Sequence, residues 1–67
     1  MSNTSEASGL HQQAANDHDA AATYHRKAAD AHERNQMKDA KGSARAAIEL
    51  SGSAHVKSQA AHELSCK

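Results

Sequence analysis

The residues with chemical reach in this 67-residue chain are six histidines and a single cysteine. His11, His18, His25 and His32 stand seven residues apart, and His55 and His62 repeat that interval nearer the C-terminus. Neutral imidazole is a ligand for Zn²⁺, Ni²⁺ and Cu²⁺, so metal binding is the first chemistry to weigh. A metal needs donors about 2 Å from one ion, which on one helix means side chains three or four residues apart. Seven residues of helix separate neighbouring imidazoles by about 10.5 Å along the axis. No two histidines on one helix can share an ion, so a site has to be assembled across helices. A chain reversal near residue 36 would bring His11 to His62 and His18 to His55. Cys66, four residues from His62, adds a thiolate on the same face. His11, His62, Cys66, His18 and His55 are therefore the candidate ligands, with Zn, Ni or Cu as the candidate ion. The plainer reading makes the imidazoles packing groups that fill space beside alanine and hydrogen bond to serine or water.

Two other chemistries follow from the same residues. Ser51, Ser58 and Ser65 near His55 and His62 have the residue types of a nucleophile and a base. No acidic orienter or oxyanion donor accompanies them, and a two-helix hairpin offers no concave site to Tyr24 or to a substrate. The expectation is a chain that is not an enzyme and carries no organic cofactor. The second chemistry is a pH response. If the inward imidazoles are buried and neutral, the unfolded chain binds more protons, and stability falls between about pH 7 and pH 5.

The elements that position these groups are read from a heptad pattern. Ala14-Ala15-x-x-His18, Ala21-Ala22-x-x-His25 and Ala28-Ala29-x-x-His32 repeat every seven residues. Two helical turns span that interval, so the repeat is a stripe along one helix face. With the four early histidines at position a, Ala14, Ala21 and Ala28 are d, and Ala15, Ala22 and Ala29 are e. The second half has Ala40, Ala47, Ala54 and Ala61 at d, Ala44, Ser51, Ser58 and Ser65 at a, and Ile48, His55 and His62 at e. The phase breaks at Arg34-Asn35-Gln36-Met37. Asn35 suits the left-handed residue that ends a helix or the cap of the next, and Asp39 falls in the favoured first turn of the second helix.

Folding the chain back on itself at residue 36 sets position a of one helix against d of the other. His11 would face Ala61, His18 Ala54, His25 Ala47 and His32 Ala40. The flanking g positions then pair Leu10 with Leu64, Asp17 with Lys57 and Tyr24 with Leu50. Two apolar pairs and one opposite-charge pair at consistent spacing support the hairpin, and seams of Ala and Ser let helices approach closely. Gly42 and Gly52 lie within the second helix, each costing up to about 1 kcal/mol relative to alanine. They read equally as weak spots or as places of close approach by a second hairpin. Asn3-x-x-Glu6 has the form of a capping box for the first helix, and Cys66-Lys67 is expected to be frayed.

Composition bounds the rest. Sixteen alanines and no proline favour long helices. There is no Phe or Trp and one Tyr, so a single hairpin has little apolar surface to bury, and chains below about 70–80 residues need a staple or a partner. One cysteine cannot form an internal disulfide. Eight basic and eight acidic residues cancel, which gives no reason to expect nucleic acid or an anionic membrane as partner. No apolar run approaches about 18 residues, so no membrane span is expected. The first residues lack the basic and apolar segments of a secretory signal, and the expected location is cytoplasmic.

The run Ala28-Ala29-Asp30-Ala31-His32-Glu33-Arg34-Asn35, followed by Lys38-Asp39-Ala40, resembles a group of small bacterial Ala/His-rich proteins. Those carry repeated Ala-Ala-x-x-His units, a short polar turn and a second Ala/His helix. The resemblance covers most of the chain and implies a helical hairpin without implying an activity. The chain departs from that pattern where seam serines and Ile48 stand in place of further histidine. The stretch from Tyr24 to Leu50 also has the general look of a tetratricopeptide-type helix pair, as a fold analogy only.

The expected architecture is all-α: an antiparallel two-helix hairpin with an Ala/Ser/His heptad seam, helix 1 over about 5–34, a turn over 35–37 and helix 2 over 38–64. It is expected to dimerise into a four-helix bundle, with Leu10, Tyr24, Ile48, Leu50 and Leu64 as interface residues. The expected function is that of a non-catalytic structural or interaction protein that self-associates through this Ala/His-rich surface. The alternatives are a His-based metal-binding or metal-buffering protein, and a hydrophilic stress protein that stays disordered until bound.

Overall fold

In the computed structural model, which describes residues 3–66 and the side chains of residues 5–66, the chain forms two helices. They are α1 (Asn3–Glu33) and α2 (Met37–Ser65). They lie antiparallel, and the Cα trace measures 50 × 14 × 13 Å. A helix of 31 residues is about 46 Å long, so each helix runs nearly the whole length of the molecule. The side chain of Asn3 lies outside the described residues, and with it the capping box.

The reversal has a backbone reason. Asn35 adopts φ 59°, the left-handed conformation that asparagine tolerates better than most residues. Around it the Gln36 N–H donates to the Ala31 carbonyl at 2.8 Å and the Asn35 N–H to the His32 carbonyl at 3.1 Å. This pair of bonds is the Schellman motif, which satisfies carbonyls left over at the end of α1. Gln36 then caps α2 through its backbone alone: its carbonyl accepts from the Ala40 N–H at 2.9 Å, and its side chain makes no capping bond. Asp39 sits in the first turn of α2, as expected.

Between the helices the seam is alanine against alanine. Ala7, Ala14, Ala21 and Ala28 of α1 are buried, as is Ala31 beside the turn. From α2, Ala40, Ala47, Ala54 and Ala61 are buried completely. Apart from Ala31, which is a g position, these are the d positions of both helices. No larger side chain joins them: among the described residues the buried core consists of these nine alanines.

The heptad pattern alone would set position a of α1 against the partner helix. Position a of α1 does not face inward, for all six histidines are exposed. An imidazole wedged between the helices would hold their axes apart and strip its ring nitrogens of water, whereas methyl against methyl lets the axes close. Each helix therefore turns its d row to the centre and moves the imidazoles to the margin. The buried neutral histidines on which a pH-driven loss of structure would depend are absent from the described seam.

Candidate functional site

The margins of the hairpin differ in chemistry. On one lie the g positions of both helices. Leu10, Asp17 and Tyr24 of α1, and Ser43, Leu50, Lys57 and Leu64 of α2, are all half-buried. Here the Lys57 ammonium meets the Asp17 carboxylate at 2.8 Å. Ser53, one position further round α2, donates its hydroxyl to the same Asp17 oxygen at 2.9 Å. The lysine and then the serine hold the Asp17 carboxyl below its ordinary value of 3.8. Lys27 lies over the Tyr24 ring at 4.8 Å from its centre. The sequence register anticipates Asp17 opposite Lys57. It does not reveal Ser53, whose position on a helical net beside Lys57 was the available signal.

The opposite margin carries the histidines. Antiparallel packing sets the a and e side of α1 beside the a and e side of α2. His11, His18, His25 and His32 come from position a of α1, and His55 and His62 from position e of α2. Two cross-helix contacts fix this arrangement: His11 Nε2 lies 2.9 Å from Ser65 Oγ, and His18 Nε2 lies 3.1 Å from Ser58 Oγ. Each imidazole reaches one helical turn further along α2 than the alanine it was expected to face. His25 and Ser51 hold the next place in the same series.

The direction of the first contact can be assigned. The Ser65 hydroxyl donates its proton to the Ala61 carbonyl at 2.8 Å. Its oxygen is then left to accept, so His11 is the donor through Nε2–H. A serine nucleophile has to give its proton to the base, and Ser65 gives it to a carbonyl instead. The His11–Ser65 pair thus has the residue types of a catalytic dyad with the opposite polarity.

Of the candidate metal ligands, the structure brings two into contact: Cys66 Sγ lies 3.6 Å from Nε2 and 3.9 Å from Nδ1 of His62. The last turn is continuous enough to hold them together, since the Cys66 N–H donates to the His62 carbonyl at 3.0 Å. His11 and His18 engage Ser65 and Ser58, and His55 shares their margin. Among the described residues no three His, Cys, Asp or Glu side chains form a group that could hold an ion. His62 and Cys66 make one pair of donors, and a closed tetrahedral site takes four.

The five expected interface residues are split by the fold. Leu10, Tyr24, Leu50 and Leu64 lie half-buried on the Asp17–Lys57 margin. Ile48 is on the histidine side and is 71% exposed, with Val56 at 63% and Met37 at 51%. No described helix is long and apolar enough to cross a membrane.

No protein-family model, no curated protein and no solved structure matches this chain.

Proposed function

We propose that this chain is a non-catalytic structural or interaction protein that works as a self-associated assembly of helical hairpins. The observation that carries this reading is the composition of the core. Among the described residues only alanines are fully buried, the leucines and Tyr24 of the margin being half-buried, while Ile48, Val56 and Met37 stand in solvent. A buried methylene contributes about 0.8 kcal/mol, and a fully buried Ile or Val about 1.5–3 kcal/mol. The larger gains are left unused by one hairpin and become available when a second copy covers them. A dimer of hairpins in the cytoplasm, where a lone thiol stays reduced, fits these features.

The second reading is a metal-binding or metal-buffering protein, favoured by one observation: all six imidazoles share a margin, with the His62–Cys66 contact at its end. Two copies would double the donors. Molar mass by light scattering at pH 7.5, with helicity measured on the same samples with and without EDTA, separates the two. A helical dimer indifferent to EDTA supports the self-associating scaffold. A mass or helicity that collapses with EDTA and returns with one of Zn²⁺, Ni²⁺ or Cu²⁺ reverses the order. Little helix in dilute buffer would overturn both in favour of a chain that folds only on binding.

A further inference from the structure

The outward face of α2 contains three parallel rows at i, i+4 and i+8: Lys41-Arg45-Glu49, Ile48-Gly52-Val56 and His55-Gln59-Glu63. All nine residues are exposed. Ion pairs within the chain, among the described residues, are Asp30–Arg34 and Asp17–Lys57, so the charges of these rows are uncommitted inside the hairpin. Gly52 lies at the middle of the central row. A Cβ there would meet nothing within 4 Å, so no packing within the hairpin accounts for a residue that costs a helix about 1 kcal/mol relative to alanine.

We infer that this face is the contact between two copies of the chain, related by a twofold axis passing beside Gly52, with α2 antiparallel to α2 of the partner copy. This rests on the self-association proposed above and gives it a surface and a register. A twofold at residue 52 brings Ile48 of each copy onto Val56 of the other. It sets Lys41 against Glu63, His55 against Glu49, Arg45 against Gln59, and Gly52 against its own copy. Every charged position except Arg45 meets an opposite or ionisable partner, and Arg45 meets an amide that can accept from it. The two largest exposed apolar side chains of α2's middle cover each other. Absence of a side chain at the axis lets the two backbones approach closely there.

The register is selective. Sliding one copy by a heptad in either direction puts Ile48 opposite Glu49 or Glu63, and Val56 opposite Lys41 or His55. Both slides bury a charge against an aliphatic side chain, which is costly without a partner for the charge. The face spans residues 41–63, about 33 Å of helix, and the Leu10, Tyr24, Leu50 and Leu64 margin stays outside it.

The test is sedimentation equilibrium of the full chain, joined to disulfide trapping in a Cys66→Ser background. A cysteine at Gly52 lies on the axis beside its own copy, within reach of a disulfide; a cysteine at Thr23, on the outward side of α1, does not. The expected result is a dimer in which G52C crosslinks at least ten-fold faster than T23C. Ile48→Glu is expected to weaken dimerisation at least ten-fold with helicity per chain retained at high concentration. Lys41→Glu is expected to weaken it, and Lys41→Glu with Glu63→Lys to restore it, which reads the pairing without adding a side chain at the axis. A dimer that ignores Ile48→Glu and the charge exchange, and crosslinks no faster through residue 52 than through 23, overturns this face while self-association stands. A monomer at every concentration overturns both.

Discussion

Lys57 of α2 holds the carboxylate of Asp17 of α1 at 2.8 Å, and Ser53 donates to the same oxygen. This is the one ion pair between the helices among the described residues, and it fixes their axial register at the middle of the hairpin. The folded carboxyl binds its proton less readily than a free one, whose value is 3.8. The unfolded state therefore takes up the proton first as pH falls. The contribution of Asp17 is full above about pH 4 and is lost as pH drops through the depressed folded value. Asp17→Asn should lower the thermal midpoint at pH 7, and the gap to the parent should close as the pH is taken below 3.8. A gap that stays constant from pH 7 to pH 2.5 in melting curves would show that charge is not the cause.

Asn35 is the backbone hinge. At φ 59° a β-branched residue is strained, and Asn35→Val should cost about 1–2 kcal/mol, read as loss of helix by circular dichroism and earlier urea unfolding. Asn35→Gly should leave stability equal or slightly raised, because glycine takes this conformation freely. Equal effects from the two substitutions would remove the Schellman turn as the determinant of the reversal.

The seam tolerates no bulk. Ala54 has no exposed surface, so Ala54→Leu should destabilise the hairpin by about 1–3 kcal/mol through forced separation of the helices. Ala15, on the exposed side of the same heptad pattern, is the control. Ala15→Leu should change stability by no more than about 0.5 kcal/mol. Denaturant titration of both variants decides it, and a tolerated leucine at 54 would mean that the alanine row does not set the spacing.

The Ser65 hydroxyl accepts from His11 while donating to Ala61. Imidazole ¹⁵N shifts should show His11 of the parent biased to the Nε2–H tautomer, with His25 as an internal comparison. Ser65→Ala should abolish the bias and cost at most about 0.5 kcal/mol, because the contact is exposed. A His11 tautomer unaffected by Ser65→Ala would dissolve the cross-helix pair.

The sequence by itself determined the features that are local or periodic. Alanine content and the absence of proline set two long helices. Asn35 marked the reversal because few residues other than glycine accept its backbone conformation. The g-position spacing placed Asp17 opposite Lys57, since charge and interval together leave one register. What the heptad could not decide was the rotation of each helix about its own axis. Positions a and d lie side by side on a helical net, and a repeat of Ala-Ala-x-x-His is equally consistent with imidazole or methyl at the centre. That choice is made by the distance between the helix axes, a property of the pair rather than of either helix. The closest approach goes to the smallest side chain, so alanine takes the seam. The histidines are carried to the margin, where Ser58 and Ser65 are one turn further along than the alanines they had been expected to face. Ser53 reaches Asp17 for the same reason: rotation of α2 brings it beside the g row, and only the packed pair of helices fixes that rotation.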